Sequence, residues 1–111
     1  MVIQTRKEMN TTVVTITGRL DAVTAPEYEK QVHELIDGGD ICLVVDLEQL
    51  DYISSAGLRV LLVTAKLLKV KNGRVRIANI KGTVREVFDI SGFNSIFLVD
   101  DSVAASLAAL S

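Results

Sequence analysis

The sequence predicts an α/β fold, one mixed β-sheet of four or five strands with about four helices, mainly on one face. Three observations point to it. Two alternating segments open the chain, "VIQTRKE" at 2–8 and "TVVTITG" at 12–18. A continuous apolar run rich in β-branched residues, "ICLVVDL", occupies 41–47, the pattern of a central strand buried on both faces with parallel neighbours. From there to the end, short strand-like runs alternate with stretches of helical periodicity, as right-handed β-α-β crossovers require.

Each element follows in order. "MNTT" supplies a turn between the first two strands, which pair as an antiparallel hairpin, and Gly18 ends the second. "TAPEYEKQVHELIDGG" is a helix. Thr24 and Glu27 have capping-box spacing, and Pro26 falls in the first turn, where it costs no intrahelical donor. Tyr28, Val32, Leu35 and Ile36 make its apolar face, and Gly38 and Gly39 stop it. After the strand at 41–47 and a loop, a second helix runs from about Ser54 to Lys71. "NG" at 72–73 turns the chain into the strand "RVRIANI". Thr83 and Glu86 form a second capping-box pair. They open a short helix with Val84, Val87 and Phe88 inward, which ends near Gly92. "SIFLVD" is a last short strand, and "DSVAASLAAL" a helix capped by Asp101 or Ser102, with Val103, Leu107 and Leu110 on one stripe. The order is β β α β α β α β α. No linker or repeat interrupts it, so 1–111 reads as one domain.

Composition narrows the function. A net charge of −2 gives no global field toward nucleic acid or anionic membrane. The basic residues from Lys66 to Arg76 read as a solvated helix end and turn. Cys42 is the only cysteine and sits in an apolar run, as a small buried hydrophobe does; His33 is the only histidine and reads as a surface residue. With one of each there is no metal cluster or catalytic triad, and no Gly-rich phosphate loop with its lysine occurs. The chain is therefore expected to be no enzyme and to need no cofactor. The N-terminus lacks a signal-peptide apolar core, and no run approaches membrane-spanning length, so a cytoplasmic protein is expected.

The informative stretch is "YISSAGLRVLL" at 52–62. With Ser54 as the N-cap, Ser55 opens the helix. At 100° per residue, Ser55, Arg59, Leu62, Val63, Lys66, Lys69 and Val70 face outward. Gly57, Val60, Leu61, Thr64, Leu67 and Leu68 face the core. Gly57 is assigned to close packing of the helix on the sheet. Ser55 projects from a helix N-terminus whose free N–H groups favour negative charge. A phosphate there would gain about 0.3–1 kcal/mol from the helix end, and Arg59 is one turn on, placed to screen it. Capping accounts for one serine of the pair, and plain solvation is the competing explanation for the other.

"GRLDAVTAPE" (18–27), "VVDLEQLDYISSAGLRVLL" (44–62) and "VFDISGF" (87–93) occur in the order and spacing of the STAS domain. The whole chain resembles a single-domain bacterial anti-sigma factor antagonist. That resemblance implies a small mixed sheet with helices, and a binding module, monomeric when free. It implies docking on an anti-sigma factor that is also an ATP-dependent serine kinase, so that a sigma factor is released. The kinase phosphorylates one serine at the start of the second helix, and a PP2C-type phosphatase reverses this. Carried onto this sequence, the phosphoacceptor is Ser55, with Ser54 the competing hydroxyl where many members have aspartate. Asp21 matches the acidic residue of the family's "G-x-L-D" loop; it either contacts the kinase or merely opens a turn before Thr24. The expected partner surface comprises Asp21, Thr24, Ser54, Ser55, Ala56, Arg59, Leu62 and Val63. Arg59 stands where members often have a small residue. A second use of the fold is a non-switching subunit of a transport or other signalling complex. Neither nucleic acid nor membrane is an expected partner.

Overall fold

The computed structural model describes all 111 residues. In chain order the elements are β1 (Val2–Glu8), β2 (Thr11–Leu20), α1 (Ala25–Asp37), β3 (Cys42–Asp46), β4 (Leu50–Ile53) and α2 (Ser55–Val70), followed by β5 (Arg74–Ala78), α3 (Gly82–Ser91), β6 (Val99–Asp100) and α4 (Val103–Leu110). The strands are ordered β1-β2-β3-β5-β6, with β4 also pairing to β2. Only β1–β2 is antiparallel. The mixed sheet thus has six strands, not the expected four or five.

The extra strand is β4, which finds a partner because β2 does not stop at Gly18. Gly18 takes φ +101°, the register shifts there, and the chain continues to pair Arg19 with Tyr52 and Leu20 with Ile53. β2 therefore serves two parallel partners, β3 through residues 12–15 and β4 through residues 18–20. "LDYI" escaped the sequence reading because only Leu50 and Ile53 are buried in it, too few to show a period. At the other end, "SIFLVD" is mostly not strand. Phe93–Ser95 form a 3-10 turn, and only Val99 and Asp100 pair with β5. Phe88, Phe93 and Phe97 pack together there, with ring centroids 5.8–6.4 Å apart.

Both capping boxes fail for a local reason. Thr24 turns its hydroxyl back to the preceding loop, where it donates to Arg19 O and accepts from Asp21 N, both at 2.9 Å. Thr83 is already inside α3, whose N-cap is Lys81.

Alternation along the strands sorts the core into two layers. Val14, Ile16, Leu43, Val45 and Ile77 face Tyr28, Val32 and Ile36 of α1, Val60, Leu61 and Leu68 of α2, and Val84 and Phe88 of α3. Val13, Val44 and Ala78 face Val103, Leu107 and Leu110 of α4, alone on the opposite side. α1 and α2 are also joined by a buried polar pair. Thr64 Oγ1 donates to Val60 O, so the Tyr28 phenol donates to Thr64 Oγ1 at 2.8 Å. Burial drives the Tyr28 pKa well above its ordinary value. Two single residues depart from expectation. Cys42 is half-buried, its Sγ 3.5 Å from Thr11 Oγ1, and His33 is half-buried with an Nε2 that has no partner.

Candidate functional site: the entrance of α2

The end of β2 fixes the start of α2. Ser54 N donates to Leu20 O at 3.0 Å, directly after the last β2–β4 pair. Ser54 itself is extended, at φ −99° and ψ 176°, as an N-cap should be. Its Oγ accepts from Gly57 N at 3.3 Å, and its carbonyl from Leu58 N at 2.9 Å. The next requirement is close approach. A Cβ on Gly57 would lie 2.4 Å from Leu20 O and 2.8 Å from Ile53 Cγ1, so only glycine lets the helix sit this near the strand ends. The packing role read for Gly57 holds.

This anchoring separates the two serines. The Ser54 hydroxyl is engaged as the cap, whereas Ser55 is exposed at the first helical position. The N–H groups of Ser55 and Ala56 belong to the first turn, where helix geometry gives them no intrahelical acceptor. The wheel holds at most positions, but Leu67, placed toward the core, is half-buried, and Leu62 and Val63, placed outward, are not fully exposed. Arg59, Lys66, Lys69 and Val70 are exposed, Leu62 and Val63 are half-buried, and Val60, Leu61, Thr64 and Leu68 are buried. Ala56 is half-buried beside Ser55.

The loop from Asp21 to Thr24 continues from Leu20 and so lies beside the same entrance. Asp21 Oδ1 accepts from Val23 N at 3.0 Å and Thr24 N at 3.1 Å, and its Oδ2 from Arg19 Nε at 3.4 Å. The Thr24 backbone N–H, before the other bonds, holds the Asp21 carboxyl below the usual carboxylate range. Asp21 therefore does open and order the turn.

Three features went unread in the sequence. The Arg19 guanidinium stacks on the Tyr52 ring, 4.4 Å from its centroid, and could not be anticipated without β4. Val23 is 87% exposed at the tip of the Asp21–Thr24 loop, an apolar side chain presented to solvent beside Ser55's helix. The third was legible in principle: no acidic residue occurs between Asp51 and Glu86, a segment that holds eight of the twelve Lys and Arg residues.

The eight candidate residues thus fall in two segments joined at Leu20. Asp21, Thr24, Ser54, Ser55 and Ala56 gather at the entrance, Arg59 follows one turn on, and Leu62 and Val63 lie roughly 10–12 Å further down the helix axis. None of the three surface clefts is lined by these residues. The exposed Ser55 hydroxyl therefore lies outside any concave cleft, and small molecules bind preferentially in concave clefts. No group of three or more His, Cys, Asp or Glu side chains could hold a metal ion. No helix is long and apolar enough to cross a membrane.

Comparison with known proteins bears on the family and the fold. The STAS domain family matches residues 2–106, and the chain belongs to that family. Among its relatives is BtrV of Bordetella bronchiseptica, named as an anti-sigma factor antagonist. It is 43% identical over 97 residues, which span 87% of this chain and 84% of BtrV. The anti-sigma-B factor antagonist of Staphylococcus aureus is 27% identical over 88 residues, 79% of this chain and 82% of that one. The fold is also that of the Bacillus cell fate determinant SpoIIAA. Its phosphorylated form superposes with a TM-score of 0.75 at 20% identity, covering 99% of this chain and 100% of SpoIIAA.

Proposed function

We propose that this chain is an anti-sigma factor antagonist whose docking on an anti-sigma factor serine kinase is switched by phosphorylation of Ser55. In the reaction Ser55 Oγ attacks the γ-phosphorus of ATP held by the kinase, loses its proton, and ADP leaves. The modified side chain carries about −1.5 to −2 charges. Placed at the centre of a docked face, that charge must be desolvated and repels any acidic group of the partner, which disfavours the complex. A PP2C-type phosphatase returns the hydroxyl and with it the docking. The surface involved runs from Val23 and Asp21 across Ser55 and Ala56 to Arg59, Leu62 and Val63.

One observation carries the reading: of two adjacent hydroxyls, Ser54 is occupied as the helix cap and Ser55 stands exposed. The relatives' names supply the class of partner. The test is incubation with the purified cognate anti-sigma factor kinase and ATP, followed by mass-spectrometric localisation of the phosphate. We expect it on Ser55. Ser55→Ala should stay bound through the incubation, and Ser55→Asp should bind at least tenfold more weakly than the unmodified chain. Phosphate on Ser54 instead, or equal binding by Ser55→Asp and the unmodified chain, would overturn the assignment.

A further inference from the structure

Arg59 is a cation with nothing to neutralise it. It is exposed on α2 and takes part in no ion pair, while Arg19, beside the Asp21–Thr24 loop, already pairs with Asp21 and stacks on Tyr52. α2 contains no acidic residue, so no helical neighbour at i±3 or i±4 can engage it. The one position four residues N-terminal to Arg59 is Ser55. Helical side chains lean toward the N-terminus, which carries the Arg59 guanidinium back toward Ser55. An acidic group four residues before a basic one is also the favourable order on a helix.

We propose that Arg59 is an internal clamp for the phosphate on Ser55, so that one modification both adds a dianion to the docking face and withdraws its only central cation. Unmodified, Arg59 is free to meet an acidic group of the partner. Phosphorylated, Ser55 takes that guanidinium for itself, through charge-assisted hydrogen bonds from the guanidinium N–H groups to the phosphate oxygens. The face loses attraction as well as gaining repulsion. This rests on Ser55 being the switch residue, but the clamp itself is measurable without any kinase.

The experiment installs phosphoserine at position 55 by genetic encoding and follows the second ionisation of its phosphate by 31P NMR at low salt. The proteins are the otherwise unmodified chain, Arg59→Gln, Arg59→Lys and Lys66→Gln. A guanidinium paired with the dianion lowers the midpoint, and for an exposed i,i+4 pair the shift should be about 0.3 pH unit. We expect Arg59→Gln to raise the midpoint by that amount, Arg59→Lys to restore part of it, and Lys66→Gln, three turns from Ser55, to leave it unchanged. The difference should collapse in about 1 M salt. Identical midpoints with and without Arg59, or an equal effect from Lys66→Gln, would overturn the clamp. That failure would leave the kinase assignment standing. Conversely, phosphate found by mass spectrometry on Ser54 would overturn the assignment and leave the NMR result intact.

Discussion

Gly57 carries more of the site than any polar residue. Its amide completes the Ser54 cap, and its missing side chain leaves room for Leu20 O, the same oxygen that accepts the Ser54 N–H. Alanine is the better helix former by ~1 kcal/mol, so propensity alone would make Gly57→Ala stabilising. A methyl group 2.4 Å from a backbone oxygen reverses the sign. The neighbour is main chain and cannot rotate away, so the helix must lift and stretch the Ser54 to Leu20 bond. We expect Gly57→Ala to lose about 2 kcal/mol or more in urea unfolding. Unchanged or increased stability would show that the close approach is not required.

At the level of elements, α4 rests on a small apolar patch, and a polar latch adds to it. It covers only Val13, Val44 and Ala78 of the sheet's second face. Asp100 on β6 accepts from Arg76 Nε at 2.6 Å, Arg76 Nη2 at 3.0 Å and the fully buried Ser106 hydroxyl of α4 at 2.7 Å. The Arg76 hydrogen bond, ahead of that from Ser106, holds the Asp100 carboxyl below its ordinary value. A carboxyl depressed in the folded state stabilises the fold above its unfolded pKa and loses that contribution as pH falls through the folded value. The latch should therefore hold from neutral pH down to about 4 and weaken below that. Asp100→Asn removes it at all pH values and should cost about 2–3 kcal/mol. If the loss is confined to α4, amides from Ser106 to Leu110 should exchange roughly 30- to 140-fold faster, while β3 is unaffected. Uniform acceleration across the chain would show that α4 is integral to the global unit.

The same element scale explains what the sequence could and could not reveal. β3 and α2 were legible because burial on both faces, or on one helical stripe, leaves long uninterrupted patterns. β4 and the shortened β6 were not, since pairing partners and not periodicity define strands of four and two residues. The capping boxes were overread because Thr24 and Thr83 satisfy a spacing rule whose outcome depends on the preceding loop. At the site, the cap at Ser54 and the exposure of Ser55 were legible from the helix start and the wheel. The stacking of Arg19 on Tyr52 needed the bulge at Gly18, which no local pattern announces.

For the molecule as a whole, charge and rigidity together dictate how a switch can work. All fourteen acidic residues lie outside 52–85, so α2 is a basic and apolar face on a protein whose net charge is −2. A dianion at one end of that face reverses the sign of the charge there. The scaffold beneath it has little freedom to respond. Ser54 is bonded to Leu20, Gly57 is jammed against the same carbonyl, and Tyr28 and Thr64 lock α2 to α1. A phosphate on exposed Ser55 meets free amides and the favourable end of a helix, which together should stabilise the fold by about 0.3–1 kcal/mol rather than disturb it. We therefore expect phosphoserine-55 protein to unfold in urea at the same midpoint or slightly above the unmodified chain. Its two-dimensional amide NMR spectrum should change only near residues 19–24 and 52–60. Were shifts to spread into β1 or α4, or stability to fall, phosphorylation would be acting by remodelling the fold, and the fixed-scaffold mechanism would have to be abandoned in favour of a conformational one.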